Sequence, residues 1–206
     1  MNTHKDHLSR AYGLNKTKET QEFYSDWAVT YDAEVLENGY ATPLRCAKAL
    51  AGFTPEQDLS ILDIGCGTGL SGEMLAKTGF TRIDGCDVNP EMLEIAKKRG
   101  VYDDTWQENI RNPLDFETGR YDAITAIGVI GVGAAPVDLL YTLLSRLGSG
   151  GLAVFSLNDH SLQDPSYEAA LSNHLDCGQY QLLFKEYGDH LPGQDMKSTV
   201  YVVRKQ

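Results

Sequence analysis

Long apolar segments and clustered basic residues are both missing from this chain of 206 residues. No window has the length of a signal-peptide core or a membrane span, so we expect a cytoplasmic protein. Lys and Arg number 18 against 29 Asp and Glu, which gives a net charge of −11, and the basic residues are scattered. Binding to a nucleic acid or an anionic membrane depends on clustered positive charge. The composition therefore predicts that neither a nucleic acid nor a membrane is a partner.

Paired cysteines are missing as well. The four cysteines have no C-x-x-C spacing, so we expect reduced thiols, most of which pack in the interior, and no metal site: Cys46, Cys66, Cys86 and Cys177. A chain of this length can bury a proper core, and it fits one α/β domain with a terminal extension.

A glycine-rich turn is the most informative feature that is present. Residues 59–72 read LSILDIGCGTGLSG, in which an apolar strand leads into glycines at alternate positions, Gly65, Gly67 and Gly69. Glycine allows the backbone to approach a ligand closely, and a helix that begins after such a turn presents free N–H groups and a positive dipole end. The turn is typical of a small-molecule site.

The spacing of these glycines separates two kinds of ligand. The dinucleotide fingerprint G-x-G-x-x-G requires glycine at the position of Leu70. Asp63 adds a carboxylate before the turn, which suits a sulfonium or ammonium ligand better than a pyrophosphate. The pattern D-x-G-x-G-x-G resembles motif I of the class I S-adenosylmethionine-dependent methyltransferases.

A second acid supports this resemblance. Asp87 ends the segment RIDGCD, twenty residues after Gly67, where the neighbouring strand of a βαβ unit should end. Its carboxylate can accept hydrogen bonds from both hydroxyls of a ribose. An acid at a strand end can instead cap a helix, but Asn89 before Pro90 already has the sequence of a cap.

The chain alternates between helical and strand patterns from residue 19 onward. We expect a mobile polar segment at residues 1–18, an N-terminal helical lid at 19–52 and a methyltransferase domain at 53–206, all in one domain. Outside the two segments described above, helices are predicted at 19–38, 43–50, 90–99, 136–148 and 165–177, and strands at 105–110, 121–130, 151–157, 180–186 and 198–204. The last two strands have no helix between them and should pair antiparallel. This order is similar to the class I methyltransferase fold, a Rossmann-like three-layer sandwich with a mostly parallel seven-stranded sheet and a C-terminal antiparallel hairpin.

Further segments narrow the resemblance. FYSDWAVTYD, GYATPLRCA, SLNDH and HLPG resemble the family of small methyltransferases related to the methyltransferase-like protein of the Williams–Beuren region. The resemblance implies that an N-terminal helix closes the cofactor pocket and that Tyr24, Trp27 and Tyr31 face the sulfonium. The residues by themselves leave ordinary core packing open, because Phe23, Trp27 and Tyr31 recur at helical spacing.

The resemblance implies S-adenosyl-L-methionine as cofactor and S-adenosyl-L-homocysteine as product. Asn109 takes the place of the acid that meets the adenine amino group, although an Asn there can equally end a strand. Val88 and Ile110 can flank the adenine, and Ile127 and Gly128 lie where the methionine portion should pass. The full set of expected contacts is Asp63, Gly65, Cys66, Gly67, Thr68, Gly69, Asp87, Val88, Met92, Asn109, Ile110, Ile127, Gly128, Tyr24, Trp27 and Tyr31.

Methyl transfer needs alignment and exclusion of water more than a dedicated nucleophile. The candidate catalytic residues are His160, His190 and Tyr31. We expect a methyltransferase that acts on a small organic acceptor. The chain has neither the N-P-P-[YF] run of enzymes that methylate amino groups of bases nor a Pro-Cys pair at that place. The alternatives are a protein that binds the cofactor without catalysis and a nicotinamide-dependent oxidoreductase.

Overall fold

One seven-stranded sheet organises the chain. The structure, a computed structural model, describes residues 17–55, 57–108, 114–131 and 134–206. The sheet has the strand order β3-β2-β1-β4-β5-β7-β6. Its strands are β1 (Ser60–Ile64), β2 (Arg82–Asp87), β3 (Thr105–Gln107), β4 (Ala123–Ala126), β5 (Leu152–Asn158), β6 (Tyr180–Leu191) and β7 (Met196–Lys205).

Helices connect and cover these strands. They are α1 (Thr17–Glu37), α2 (Thr42–Phe53), α3 (Leu70–Lys77), α4 (Pro90–Arg99), α5 (Asp138–Arg146), α6 (Asp159–Leu162) and α7 (Pro165–Asp176). Within the described part of the chain, every helix falls short of the length or the apolarity that crossing a bilayer requires.

The sheet is parallel except at its C-terminal end. β1 pairs with β2 and β4, β2 with β3, and β4 with β5, all parallel, whereas β7 runs antiparallel between β5 and β6. The predicted mostly parallel sheet with a terminal hairpin is therefore confirmed. Because β1 lies between β2 and β4, the chain crosses over beside it, and a crevice forms at the carboxyl ends of these strands.

Apolar side chains fill both faces of the sheet and define the three layers. On one face, Leu143 of α5 and Leu171 of α7 pack with Phe155 of β5. On the other face, Leu50 of α2 and Leu75 of α3 pack with strand residues. At about 25 cal/mol per Å² of apolar area, burial of each such side chain stabilises the fold by roughly 1.5–3 kcal/mol.

Local signals placed α4 at its observed bounds. Asn89 caps α4, since its side chain accepts from the Met92 N–H, and Gly100 ends the helix in a left-handed conformation with φ 65°. Both interactions involve only neighbours in sequence, which explains why the sequence was sufficient.

Two strands differ from the prediction because their pairing partners set their lengths. β4 covers only four of the residues 121–130, and Gly128 and Gly131 then adopt positive φ values of 71° and 158°. β6 continues through the residues expected as a turn, because Gly188 and Leu191 pair with Ser198 and Met196 of β7. The turn shrinks to a 3-10 helix, Pro192–Gln194.

The structure describes three residues of the predicted third strand as β3, whereas Asn109 and Ile110 lie outside the described residues. The segment expected to be mobile, residues 1–18, also lies almost wholly outside them.

Candidate active site

The glycine turn joins β1 to α3 and opens on one side only. Gly65, Gly67 and Gly69 have φ values of 63°, 55° and 91°, a region that favours glycine. A Cβ on Gly65 would lie 2.5 Å from the Val129 side chain, and one on Gly69 would lie 2.8 Å from that of Arg99. A Cβ on Gly67 would meet only the Gly65 carbonyl, at 4.0 Å. Gly67 therefore marks the side of the turn that a ligand can approach.

Asp87 stands directly beside this opening. Its Oδ2 accepts from the Gly67 N–H at 2.8 Å, and its Oδ1 accepts from the Asn89 N–H at 2.8 Å. Burial raises the pKa of this carboxyl group, against the effect of these N–H donors. Val88 is half-buried next to it, and Met92 is buried at the start of α4. Asp87 therefore lies beside the glycine turn, as the sequence predicts, with Val88 and Met92 near it.

Asp63 is placed differently from the expectation. Its side chain is fully buried, and it accepts hydrogen bonds from Ser71, Thr125 and Tyr102 at 2.5, 2.7 and 2.9 Å. Burial raises its pKa to about 6. The expected contact of this carboxylate with a ligand is wrong, because three hydroxyl groups surround it. It holds β1, α3 and β4 together beneath the turn.

Three other expected contacts also direct their side chains away from the opening. Cys66 packs against Leu93 and Ala96 of α4. The hydroxyl of Thr68 donates to Asp32 of α1 at 2.5 Å. Ile127 belongs to the core face that α2 covers. At Cys66 and Thr68 only the backbone can face a ligand.

Aromatic residues of α1 line a pocket at the carboxyl ends of β4 and β5. Trp27 lies 4.8 Å from Tyr31 and 5.7 Å from Tyr24, measured between ring centroids. The pocket encloses about 50 Å³ and is lined by Tyr24, Trp27, Tyr31, Val35, Tyr40, Gly128, Ile130, Gly131, Ala134, Ser156, Asn158, His190 and Leu191. The aromatics also pack against Leu70 and Leu191, as the core-packing interpretation of this stripe predicts.

Of the two candidate histidines, the pocket includes His190 and not His160. His190 is buried, its Nδ1 lies 2.8 Å from Thr42 Oγ1, and its ring meets Tyr40 edge-on at 5.3 Å. Burial lowers its pKa to about 4. His160 is half-buried on α6. Tyr31, the third candidate, lines the pocket.

Sequence reasoning missed Tyr40 and Arg99. The Tyr40 hydroxyl is 2.3 Å from where a Cβ on Gly128 would lie, so glycine at 128 makes room for it. Arg99 donates to the Thr68 carbonyl and to Glu73, each at 2.5 Å, and pairs with Asp32. The segment GYATPLRCA marked the region of Tyr40, whereas nothing in the sequence connects Arg99 with residues so distant along the chain.

Comparison with known proteins connects this geometry to a family. Residues 61–151 match a family model described as a methyltransferase domain. Human methyltransferase-like protein 27 is 32% identical over 169 residues, which cover 81% of this chain and 68% of that protein. The chain belongs to the class I S-adenosylmethionine-dependent methyltransferases. The expected family and cofactor are thereby confirmed.

Other relatives of this methyltransferase act on different acceptors according to their names. The bovine 18S rRNA (guanine-N(7))-methyltransferase is 31% identical over 137 residues, 61% of this chain and 46% of that protein. The ubiquinone biosynthesis O-methyltransferase of Vibrio parahaemolyticus is 27% identical over 153 residues, 72% of this chain and 64% of that protein. A crystal structure of a methyltransferase from Thiobacillus denitrificans with S-adenosyl-L-homocysteine has a TM-score of 0.60 at 13% identity, covering 87% of this chain and 98% of that one.

The rRNA relative corrects the expected exclusion of a nucleic acid partner, which is wrong. Net charge governs attraction to phosphate groups over the whole surface, but it does not report whether a base fits a pocket. Among the described residues, no group of His, Cys, Asp and Glu side chains is arranged to hold a metal ion.

Proposed function

We propose that the methyltransferase binds its cofactor across the turn of Gly65, Gly67 and Gly69, with Asp87 on the ribose hydroxyls. One observation carries this proposal: the Gly67 N–H donates to Asp87 at 2.8 Å, at a turn position with open space beyond it. Each carboxylate oxygen can accept a second hydrogen bond, so the ribose can bind while the turn stays in place.

The remaining cofactor contacts follow from this placement. Val88 flanks the adenine, and Gly128 accommodates the methionine portion at the edge of the aromatic pocket. We assign Ile110 to the other side of the adenine and Asn109 to its amino group; both residues lie outside the described part of the chain.

A small organic acceptor enters the pocket between α1 and the ends of β4 and β5. The bound cofactor supplies a methyl group on a positively charged sulfur. Tyr24, Trp27 and Tyr31 stabilise that charge through their ring faces, by about 0.5–2 kcal/mol for each contact. Because the pocket encloses about 50 Å³, well below the roughly 150 Å³ of a cavity that holds benzene, α1 moves outward to admit the acceptor. Its return then excludes water.

A guanine base of RNA is the second candidate acceptor. The name of the bovine relative supports it, whereas the name of the Vibrio relative, a ubiquinone biosynthesis O-methyltransferase, supports transfer to an oxygen atom. A guanine base is flat, which suits a pocket lined by aromatic side chains.

Calorimetry with S-adenosylhomocysteine tests the cofactor site. Asp87→Asn removes the charge and one acceptor oxygen, so we expect binding to weaken roughly 10-fold or more. Asp84→Asn is the matched control, because Asp84 lies on the same strand and accepts from Tyr121. Equal affinities for the two variants, or tighter binding of NAD than of the homocysteine product, would contradict the assignment.

Transfer of a labelled methyl group separates the acceptors. The enzyme is incubated with labelled cofactor and either a fraction of small metabolites or total RNA. We expect label in the small-molecule fraction. Label in RNA alone would replace the first candidate with the second, and label in neither fraction would contradict both.

A further inference from the structure

His190 ends a chain of buried hydrogen bonds behind the pocket. Its Nδ1 lies 2.8 Å from Thr42 Oγ1, which lies 2.9 Å from Ser198 Oγ. Arg45 Nη1 donates to the same Ser198 oxygen at 3.1 Å. The side chains of Thr42 and Ser198 are fully buried, so water cannot replace any of these contacts.

Arg45 decides in which direction these hydrogen bonds are donated. A guanidinium group only donates, so it cannot accept the hydroxyl proton of Ser198. Among the described residues, Thr42 Oγ1 is then the one acceptor within reach of that proton. Thr42 then donates its own hydroxyl proton to His190 Nδ1. The opposite direction would leave the Ser198 proton buried without an acceptor, which is costly.

His190 Nδ1 therefore accepts a hydrogen bond, and the ring proton resides on Nε2. Among the described residues no hydrogen-bond partner meets Nε2, and His190 lines the pocket. The edge-on contact with Tyr40 keeps the ring in this orientation. Burial lowers the pKa of the ring to about 4, against the opposing effect of the Asp159 carboxylate, and the positive charge of Arg45 adds to the lowering, so the ring is neutral at physiological pH.

We infer that His190 presents an N–H donor to the pocket, so that the methyl acceptor carries a carboxylate, phenolate or carbonyl oxygen that accepts from it. This inference rests on the proposed function and names the chemical class of its acceptor. It also removes His190 as a general base, because the nitrogen that could take a proton already accepts from Thr42.

Methyl transfer to a carboxylate or phenolate oxygen needs no base. An anionic oxygen attacks the methyl carbon with a lone pair, the carbon–sulfur bond breaks, and its electron pair returns to sulfur. No proton has to leave, and the product is a methyl ester or ether. Where the acceptor is methylated at an atom other than this oxygen, the oxygen still accepts from Nε2–H and thereby positions the acceptor.

Nitrogen NMR of the histidine ring tests the tautomer directly. In the full chain labelled with ¹⁵N-histidine, His190 is assigned by its loss in His190→Gln. We expect a protonated Nε2 and a bare Nδ1 at pH 7. Thr42→Val should allow a mixture of tautomers, whereas Thr42→Ser, which keeps the hydroxyl, should retain the single form. A proton on Nδ1, or a charged ring, would overturn the inference.

Two probes test whether the His190 Nε2–H binds an accepting oxygen, in protein loaded with S-adenosylhomocysteine. Benzoate should shift the His190 Nε2–H resonance, whereas benzylamine, which has the same ring and no accepting oxygen, should not. His190→Phe should weaken benzoate binding roughly 10-fold, and His190→Gln, whose amide still donates, should preserve most of it. Equal binding of both probes would contradict the inference.

Failures of the two proposals can be told apart. The tautomer is measured without ligand, so it stands even when S-adenosylhomocysteine fails to bind, and that failure would overturn the proposed function. An Nδ1–H tautomer in protein that binds the homocysteine product would overturn only the inference.

Discussion

A motif residue does not reveal where its side chain points. Asp63 belongs to the D-x-G-x-G-x-G pattern and was expected at the ligand, yet its carboxylate is buried among the hydroxyls of Ser71, Tyr102 and Thr125. Tyr102 and Thr125 are 39 and 62 residues away in sequence. Their approach depends on how α4, β3 and β4 pack, which local sequence does not specify.

Burial of Asp63 makes stability depend on pH. Its pKa of about 6 in the folded state lies above the ordinary 3.8, so the folded protein holds this proton more tightly than the unfolded chain. The stabilisation that comes from holding the Asp63 proton is thus complete below about pH 3.8 and is lost as the pH rises through 6. We expect this loss to amount to roughly 3 kcal/mol by pH 7.

Urea unfolding of the wild type and Asp63→Asn at pH 4, 5.5 and 7 measures this contribution. As the pH rises, the wild type should lose stability relative to the variant, so the difference in unfolding free energy between the two proteins should change in favour of the variant. Other acids titrate in both proteins, so their effects cancel in the comparison. A difference that stays constant across this range would contradict the prediction.

At the scale of elements, α1 is held against the cofactor turn by polar contacts as well as aromatic packing. Asp32 accepts from Thr68 at 2.5 Å and pairs with Arg99, and Ser25 donates to Glu91 at 2.9 Å. These contacts join α1 to the turn and to α4. A helix attached in this way can open when they break without unfolding the sheet.

Removing Arg99 should release α1. Arg99→Met breaks the contacts with Asp32, Glu73 and the Thr68 carbonyl, and its side chain is 18% exposed. A partly buried ion pair of this kind contributes about 1–3 kcal/mol. We expect hydrogen exchange in residues 23–37 to accelerate roughly 10-fold or more, and to slow again when S-adenosylhomocysteine binds.

Lys97→Met provides the control on the same helix. Lys97 pairs with Glu94 on the surface, and its side chain is 49% exposed. Exchange in residues 23–37 should remain at the wild-type rate in this variant. Similar acceleration in both variants would show that α4 charge in general, and not the Arg99 contacts, holds α1 in place.

Elements with local signals were predictable, whereas those set by distant partners were not. α4 carries its own cap and stop in Asn89 and Gly100. The extent of β6 depends on pairing with β7, including register shifts at Leu182/Phe184 and Asp189/Leu191. A sequence pattern that contains Gly188 and Pro192 favours a turn, and only the partner strand reverses that preference over residues 188–191.

At the scale of the whole molecule, binding of the cofactor product should stabilise the fold. A ligand at 100 times its dissociation constant adds about 2.7 kcal/mol to the free energy of unfolding. For a chain of this size we expect the Tm to rise by roughly 5–10 °C in S-adenosylhomocysteine.

Differential scanning calorimetry checks this shift, with NAD at the same concentration as the negative control. Asp87→Asn should show a smaller rise than the wild type under identical conditions, because its affinity is lower. An equal rise in both proteins would place the ligand away from Asp87.

The sequence by itself determined the family and the cofactor, through segments that resemble known methyltransferases, and the proximity of Asp87 to the glycine turn. It also determined the succession of helices and strands along the chain, because caps, glycine spacing and periodicity are local patterns. Only the tertiary structure decided that Asp63 is buried, that β6 extends to Leu191, and that His190 rather than His160 reaches the pocket. Each of these outcomes depends on contacts between segments far apart in sequence, and such contacts exist only once the sheet has brought them together.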